Sequence, residues 1–349
     1  MRQLAIVATM SHSGLRQNSY CKDNAKYMRI ICFIYLAALL FSTSSRTLHA
    51  QSYPDRPVKI VVPYGPGGGS DIVIRAIQAN VSGSLGQPIV IENKPGASST
   101  LGTDLVAKST PDGYTMLVVD MAILVNPSLF TKLPYDTLKD LQPVIFLAST
   151  PSIMLISSKL GIKNLKELIA SARAQPGKLS YGSAGFGTGG HMASEMLKIV
   201  TGVDLIHIPY KGAGPAMADA LGGHVTTMFT TTGAAKGVIE SGQMIGLGIT
   251  SDKRVESLGQ VPTFLELGYP DINASITWGI FLPTGTAKEV TQKINSAFNM
   301  ALQAPDSRQR LIDLGFMPGG GTSQAWSHEV SKSIQRWSAI VKQANIRVE

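Results

Sequence analysis

"IVVPYGPGGGSDIVIRA" runs from Ile60 to Ala76 and changes character halfway. Its first residues form an apolar run of the kind found in strands covered on both faces. From Asp71 the apolar side chains fall at helical intervals, in a window that reaches Leu85. Between the two lie four glycines: Gly65, Gly67, Gly68 and Gly69. Without a Cβ, such a turn lets its own N–H groups come close to another atom. Strand, glycine turn and helix start together predict an α/β unit whose helix N-terminus is open to an anion.

"LSYGSAGFGTGGHMASEMLKIV", Leu179 to Val200, repeats the device more than a hundred residues later. Strand-like runs recur as "PIVIEN", "YTMLVVD", "PVIFLAS" and "SIMLISS". Asn164 with Glu167 opens a helix as a capping box, and Thr286 with Glu289 reads the same way. Asp306 reads as the cap of "SRQRLIDLG", which Gly315 closes, and "SQAWSHEVSKSIQRWSAIVKQANI" reads as a last amphipathic helix. The alternation predicts an α/β fold with mainly parallel sheets. In open α/β sheets ligands sit beyond the carboxyl ends of strands, so the two glycine turns are expected to face each other across a cleft.

The N-terminal region reads differently. From Met28, one basic residue (Arg29) precedes an apolar run from Ile30 to Phe41, and "LHA" precedes Gln51. That core is short for a membrane span and suits a signal peptide over 28–50 with cleavage after Ala50, giving a periplasmic product. Six of the 31 basic and one of the 23 acidic residues precede Gln51. The remainder holds 25 and 22, a net of +3, so the formal +8 offers no argument for nucleic acid. Cys21 and Cys32 both precede Gln51 too, which leaves no thiolate metal site and no disulfide after cleavage.

The glycine turns narrow the chemistry by elimination. Neither fits G-x-x-x-x-G-K-[ST]. The second contains G-x-G-x-x-G at Gly185, Gly187 and Gly190, but the acid Asp204 precedes the next strand instead of ending it, against a dinucleotide site. Ser183 and His191 share a turn, but "GSAG" is no nucleophile elbow and no carboxylate is placed beside them. His191, His207, His224 and His328 show no metal spacing, and no metal or cofactor is expected. A secreted serine-dependent hydrolase of small carboxylic esters stays open as the alternative to a non-enzymatic binder. Carboxylate capture by backbone N–H groups is the leading reading. Ser70 and Thr188 either cap their helices or turn a hydroxyl to the ligand. Asp71 either serves the helix dipole or accepts from ligand donors.

"YPDRPVKIVVPYGPGGGSD", "LGQPIVIENKPGASSTLG", "PDGYTMLV", "LPYDTLKDLQPV", "SYGSAGFGTGGHMASEM", "IPYKGAGPAMADALGGHV", "VPTFLELGYP" and "WGIFLP" stand in one order from about Tyr53 to the C-terminus. In these blocks the chain resembles the Bug-type periplasmic receptors, the solute-binding components of tripartite tricarboxylate transporters. The resemblance implies a type II periplasmic-binding-protein fold: two α/β domains joined by hinge strands around a central ligand cleft. Domain 1 would be 51–152 plus 276–349, domain 2 would be 153–275, and the hinges would lie near Pro151 to Ser157 and Ile276 to Pro283. It further implies capture of a small organic carboxylate for tripartite tricarboxylate-type uptake, with membrane permease subunits as partners, or for sensing; a monomer is expected. By motif match, Tyr64, Gly68, Gly69 and Asp71 fall on the first ligand turn, and Ser183, Ala184, Gly185, Thr188 and His191 on the second.

Two departures bear on the ligand. Where the family usually reads "DVMFDD", this chain reads "TTMFTTT", Thr226 to Thr232, and "LVVD" ends in Asp120 where small or amide residues are more usual. If Asp120 faces the cleft ionised, it repels a second ligand carboxylate and favours a donor group. The alternative for Asp120 is a solvated strand end or a cap near "NPSLF". The threonines, with Phe229, would form a neutral and partly apolar wall. The expected ligand is therefore a monocarboxylate with a donor group or aromatic ring.

Overall fold

The computed structural model describes residues 53–343, 345, 346 and 348, with Met28 and Phe33 as isolated positions. The signal-peptide and cleavage readings, like Cys21 and Cys32, concern residues outside the described ones. In chain order the first half comprises β1 (Val58–Val62), α1 (Gly69–Leu85), β2 (Ile89–Asn93), α2 (Thr100–Ala107), β3 (Thr115–Asp120), α3 (Ala122–Leu129), the single turn α4 (Thr137–Asp140) and β4 (Leu141–Ser157). Next come α5 (Leu165–Ala174), β5 (Ser180–Ser183), α6 (Gly189–Thr201), β6 (Ile206–Pro209), α7 (Ala213–Gly222), β7 (Thr227–Thr231), α8 (Thr232–Glu240) and β8 (Met244–Ile249). The chain ends with β9 (Ser275–Pro283), α9 (Lys288–Gln303), α10 (Pro305–Asp313), β10 (Met317–Pro318) and α11 (Ser323–Gln343).

The strands run in the order β2-β1-β3-β9-β4-β7-β5-β6, and β8 and β10 also pair with β4. Ile60, Val61 and Val62 are fully buried, because helices cover both faces of β1; this is why its sequence shows no alternation. The sheet is mixed, which corrects the expectation of mainly parallel pairing. β1 pairs parallel with β2 and β3, and β5 with β6 and β7, but every pairing of β4 and β9 is antiparallel. These two strands link the separate βα runs at either end of the sheet, and they enter in the opposite direction.

β4 also corrects the reading of "PVIFLAS" and "SIMLISS" as two strands. It is one strand of 17 residues. Leu141 to Pro151 pair with β9, and from Ser152 onward the partners are β7 and β8. The crossover thus falls between Pro151 and Ser152. A threonine cluster braces it: the Thr150 hydroxyl donates to the Gly315 carbonyl at 2.7 Å and lies 3.1 Å from the Thr232 hydroxyl.

The Asn164 cap stands: its side chain accepts from the Glu167 N–H at 2.9 Å, and Glu167 reaches back to the Lys163 N–H at 2.8 Å. Two other caps are corrected. Ala287 occupies the cap position of α9, and the Thr286 hydroxyl instead donates to the Pro283 carbonyl at 2.8 Å. Ala304 begins α10 with Pro305 in its first turn, so Asp306 lies inside the helix and accepts from Asn80. Pro305 presets the backbone at the first helical position, and Ala304, which has no capping side chain, holds the cap position before it.

Gly233, at the start of α8, faces the Leu314 carbonyl so closely that an added Cβ would collide with backbone. Gly233→Ala is expected to lower stability by about 1–3 kcal/mol, the usual cost of overpacking. Urea unfolding of the variant checks this; an unchanged midpoint would show that the crossover brace is slack.

Candidate functional site

Both glycine turns open onto one small cavity of about 50 Å³, room for a few waters. Gly68, Gly69 and Ser70 bring the start of α1 to it, and Thr188, Gly189 and Gly190 bring the start of α6. Ala213 at the start of α7 and Thr230 and Thr231 before α8 complete a ring of helix N-termini. A helix leaves its first N–H groups without intrahelical partners. In α1 the first helical bond runs from the Ile72 N–H to the Gly68 carbonyl, and in α6 from Met192 to Thr188. The N–H groups of Gly69, Ser70 and Asp71, and of Gly189, Gly190 and His191, therefore precede the helical ladder.

The glycines serve a second purpose besides access. An added Cβ on Gly69 would collide with the Trp278 ring, and one on Gly189 with Ile276. Ile276 and Trp278 are alternate residues of β9, so both point to the same face of that strand. One on Gly190 would meet the Phe229 carbonyl at 2.7 Å. The turns are held against the inner strands by contacts that only hydrogen-sized side chains permit.

The polar side chains divide by what already occupies them. Ser70 is not a cap: its oxygen accepts from the Trp278 indole N–H at 3.1 Å, which leaves its proton to give. Thr188 occupies the cap position but makes no capping bond; its hydroxyl donates to the Gly185 carbonyl at 2.7 Å. The Thr231 oxygen caps α8, accepting from the Ala234 N–H at 3.2 Å. Thr230 is 4% exposed, and its hydroxyl has no partner among the described residues. Trp278, Ile276, Met228 and Phe229 supply the apolar walls.

Asp120 is the only charged residue lining this cavity among the described residues. Its Oδ1 accepts from the Tyr64 hydroxyl at 2.6 Å and from the Ala122 N–H at 3.1 Å. Burial raises its pKa to about 6, against the lowering effect of Tyr64, Ala122 and the Gly189 N–H across the cavity. Burial, then the charge of Asp120, holds the Tyr64 phenol well above its ordinary range.

Of the residues predicted from sequence, Tyr64, Gly68, Gly69, Ser70, Asp120, Ala184 and Thr188 line the cavity, while Asp71, Ser183, Gly185 and His191 stand behind it. Asp71 braces the first turn, accepting from the Gly67 N–H at 3.0 Å, Arg75 at 2.9 Å and Asn93 at 3.1 Å. Burial pulls its pKa up, but those three bonds outweigh it and hold the carboxyl below its ordinary value. His191 Nδ1 accepts from the Gly187 N–H at 3.1 Å, closing the second turn. Ser183 is fully buried and lies 2.7 Å from His207 Nε2, while also bonding to both the N–H and the carbonyl of Gly185. The Ser183–His191 pairing that a hydrolase would have used does not form. Ile276, Trp278, Ala213 and Thr230 were outside the predicted set; "WGIFLP" was the signal for Trp278 and the threonine run for Thr230.

The chain matches the family described as tripartite tricarboxylate transporter family receptor over residues 73–346. It resembles the solved periplasmic binding protein BugD, with 33% identity and a TM-score of 0.81 over 85% of this chain and 100% of that one. An R. palustris protein solved with adipate is 32% identical, with a TM-score of 0.81 and the same coverage. MatC from Rhodopseudomonas palustris, solved with malate, is 32% identical with a TM-score of 0.79 over 83% and 100%. The fold is that of a solute-binding receptor, a binder and not an enzyme. The chain belongs to the tripartite tricarboxylate transporter receptor family.

Burial and Lys198 lower the His207 pKa from 6.5 to about 4, and burial with His207 and Lys198 holds that of His191 well below its ordinary value. The folded state thus refuses protons that the unfolded chain accepts, and stability present above pH 6.5 is lost as pH falls toward about 4. Asp120 acts with the opposite sign. Its folded pKa of about 6 exceeds 3.8, so the folded state gains a proton first and acidification relieves it. Asp120→Asn removes that relief and is expected to lose more stability than the wild type between about pH 7 and about pH 4.5. Urea midpoints at the two pH values check this, and parallel losses in both proteins would refute it.

Proposed function

We propose that this receptor captures a small organic solute by a carboxylate gripped between the N-termini of α1 and α6. The observation that carries the reading is the convergence of these two glycine-built helix starts on a cavity that, among the described residues, is lined by no cationic side chain. Backbone N–H groups and helix dipoles then supply the attraction for an anion, and such sites suit carboxylates. The adipate and malate seen in two similar proteins support the class of ligand. The proposed site is Tyr64, Gly68, Gly69, Ser70, Asp120, Ala184 and Thr188, with Asp71, Ser183, Gly185 and His191 holding the turns in shape. In this reading the protein is exported by a cleaved leader, works in the periplasm as a monomer and passes its solute to membrane permease subunits.

Residues 51–152 with 276–349, and 153–275, are proposed to move as two domains about the Pro151–Ser152 crossover. The change of partners along β4 supports this division. So does a bond that needs both sides: the Phe186 N–H in the second turn donates to the Ser98 hydroxyl at 3.0 Å. Ala97, Ser98 and Ser99 all take left-handed φ values (44°, 52° and 73°), and such strained backbone gathers at clamps and switches.

A panel of small carboxylates, followed by thermal melting and by assay for turnover, tests the function. Stoichiometric melting shifts without product are expected, since a ligand bound only by the folded state stabilises it. Serine-dependent ester hydrolysis, or no shift with any carboxylate, would overturn the proposal. Gly190→Ala is expected to weaken the best binder at least tenfold, because the turn must retreat from the Phe229 carbonyl. For closure, solution scattering with saturating ligand should give a smaller radius of gyration than without it. An equal radius under confirmed binding would count against moving domains.

A further inference from the structure

We propose that Asp120 is a resident carboxylate that fills one of the cavity's anion sockets. The solute would then present a single carboxylate and turn a hydrogen-bond donor, not a second acid, toward Asp120. This rests on the carboxylate reading above and narrows it.

The donors that hold Asp120 are those a bound carboxylate would use. One is the N–H of Ala122 at the start of α3, and another is the Tyr64 hydroxyl, both on Oδ1. Asp120 is 8% exposed, lines the cavity and has no cationic partner among the described residues. Arg75, close to the first turn, is already paired with Asp71 at 2.9 Å. A second acid entering the same water-poor space would face an uncompensated like charge, which interacts more strongly there than in bulk water. An ammonium, amide or hydroxyl would find an acceptor instead.

The rest of the cavity is furnished for one carboxylate. The Ser70 hydroxyl has a proton to give, and the Thr230 hydroxyl, nearly buried and unpartnered among the described residues, can donate as well. Both stand beside helix N-termini, α1 and α8 respectively. Trp278 and Phe229 leave the intervening wall apolar, suited to the carbon skeleton between the ends.

Calorimetry on the full protein at pH 8, where Asp120 is ionised, tests this with chain-matched sets. One set is 4-aminobutyrate, butyrate and succinate; the other is 6-aminohexanoate, hexanoate and adipate. In the better-binding set, the amino acid should bind at least tenfold more tightly than the diacid. Asp120→Asn, which keeps an acceptor oxygen for Tyr64 and Ala122, should erase that preference by strengthening diacid binding. A diacid bound as tightly as its amino-acid counterpart by the wild type overturns the proposal while leaving the carboxylate reading intact. So does a preference that Asp120→Asn leaves unchanged in a variant that melts normally. Should no member of either set bind, the carboxylate reading itself falls and takes this inference with it. If Asp120→Asn does not fold, the wild-type ratio alone decides.

Discussion

Ile276 and Trp278, two residues apart on one face of β9, press on Gly189 and Gly69 and thereby set where two helices may begin. Any side chain at either glycine would push its helix start off the strand. Because the two contacts share a single strand, the distance between the starts of α1 and α6 follows from the spacing along β9. The mouth of the cavity, its ring of N–H groups and the place of Asp120 all depend on that spacing. Glycine here is a packing requirement first, and only as a consequence a means of baring the backbone.

The resulting electrostatics are unusual in having dipoles where one expects charges. The helix starts together favour an anion, yet among the described residues no Lys or Arg lines the cavity to neutralise one. Fixed N–H groups attract a carboxylate without the side-chain entropy that a lysine or arginine loses when it is immobilised. They also lack a net charge, so in the proposed two-domain reading the solute would be released when the two sets of N–H groups separate. A single resident carboxylate weighs heavily against such weak attractors. In a cavity lined with arginines, Asp120 would be one charge among several; here it decides the sign of the field at one end.

Much of this was legible in the sequence, and the limits have physical causes. The glycine turns were readable because strand, turn and helix patterns are local, and both turns do open on one cavity. Asn164 was readable for the same reason, since a capping box closes within four residues. What failed to read was set at long range. Thr286 is a local exception: it has the spacing of a cap, but its hydroxyl donates to the Pro283 carbonyl three residues earlier, at the end of β9. The break inferred between "PVIFLAS" and "SIMLISS" is a change of neighbours along one strand, and a strand's own sequence carries little record of which strands it pairs with. Asp71 looked like a ligand residue, yet Asn93, on a strand 22 residues away, draws it behind the turn.

His191 and Ser183 make the same point from the side of chemistry. A serine and a histidine eight residues apart invite a catalytic reading, but distance along a chain says nothing about which ring a hydroxyl meets. The fold brings His207 from β6 to Ser183 and sends His191 to the Gly187 N–H. The two imidazoles then stack with ring centroids 4.4 Å apart, and Tyr181 lies against His207 at 4.7 Å. Both rings are depressed in pKa by burial, so they stay neutral at ordinary pH and can stack without repulsion. What looks like catalytic equipment is the filling beneath the second turn. Its rigidity matters to binding, because a turn whose N–H groups must point at a ligand before it arrives cannot rest on a mobile floor.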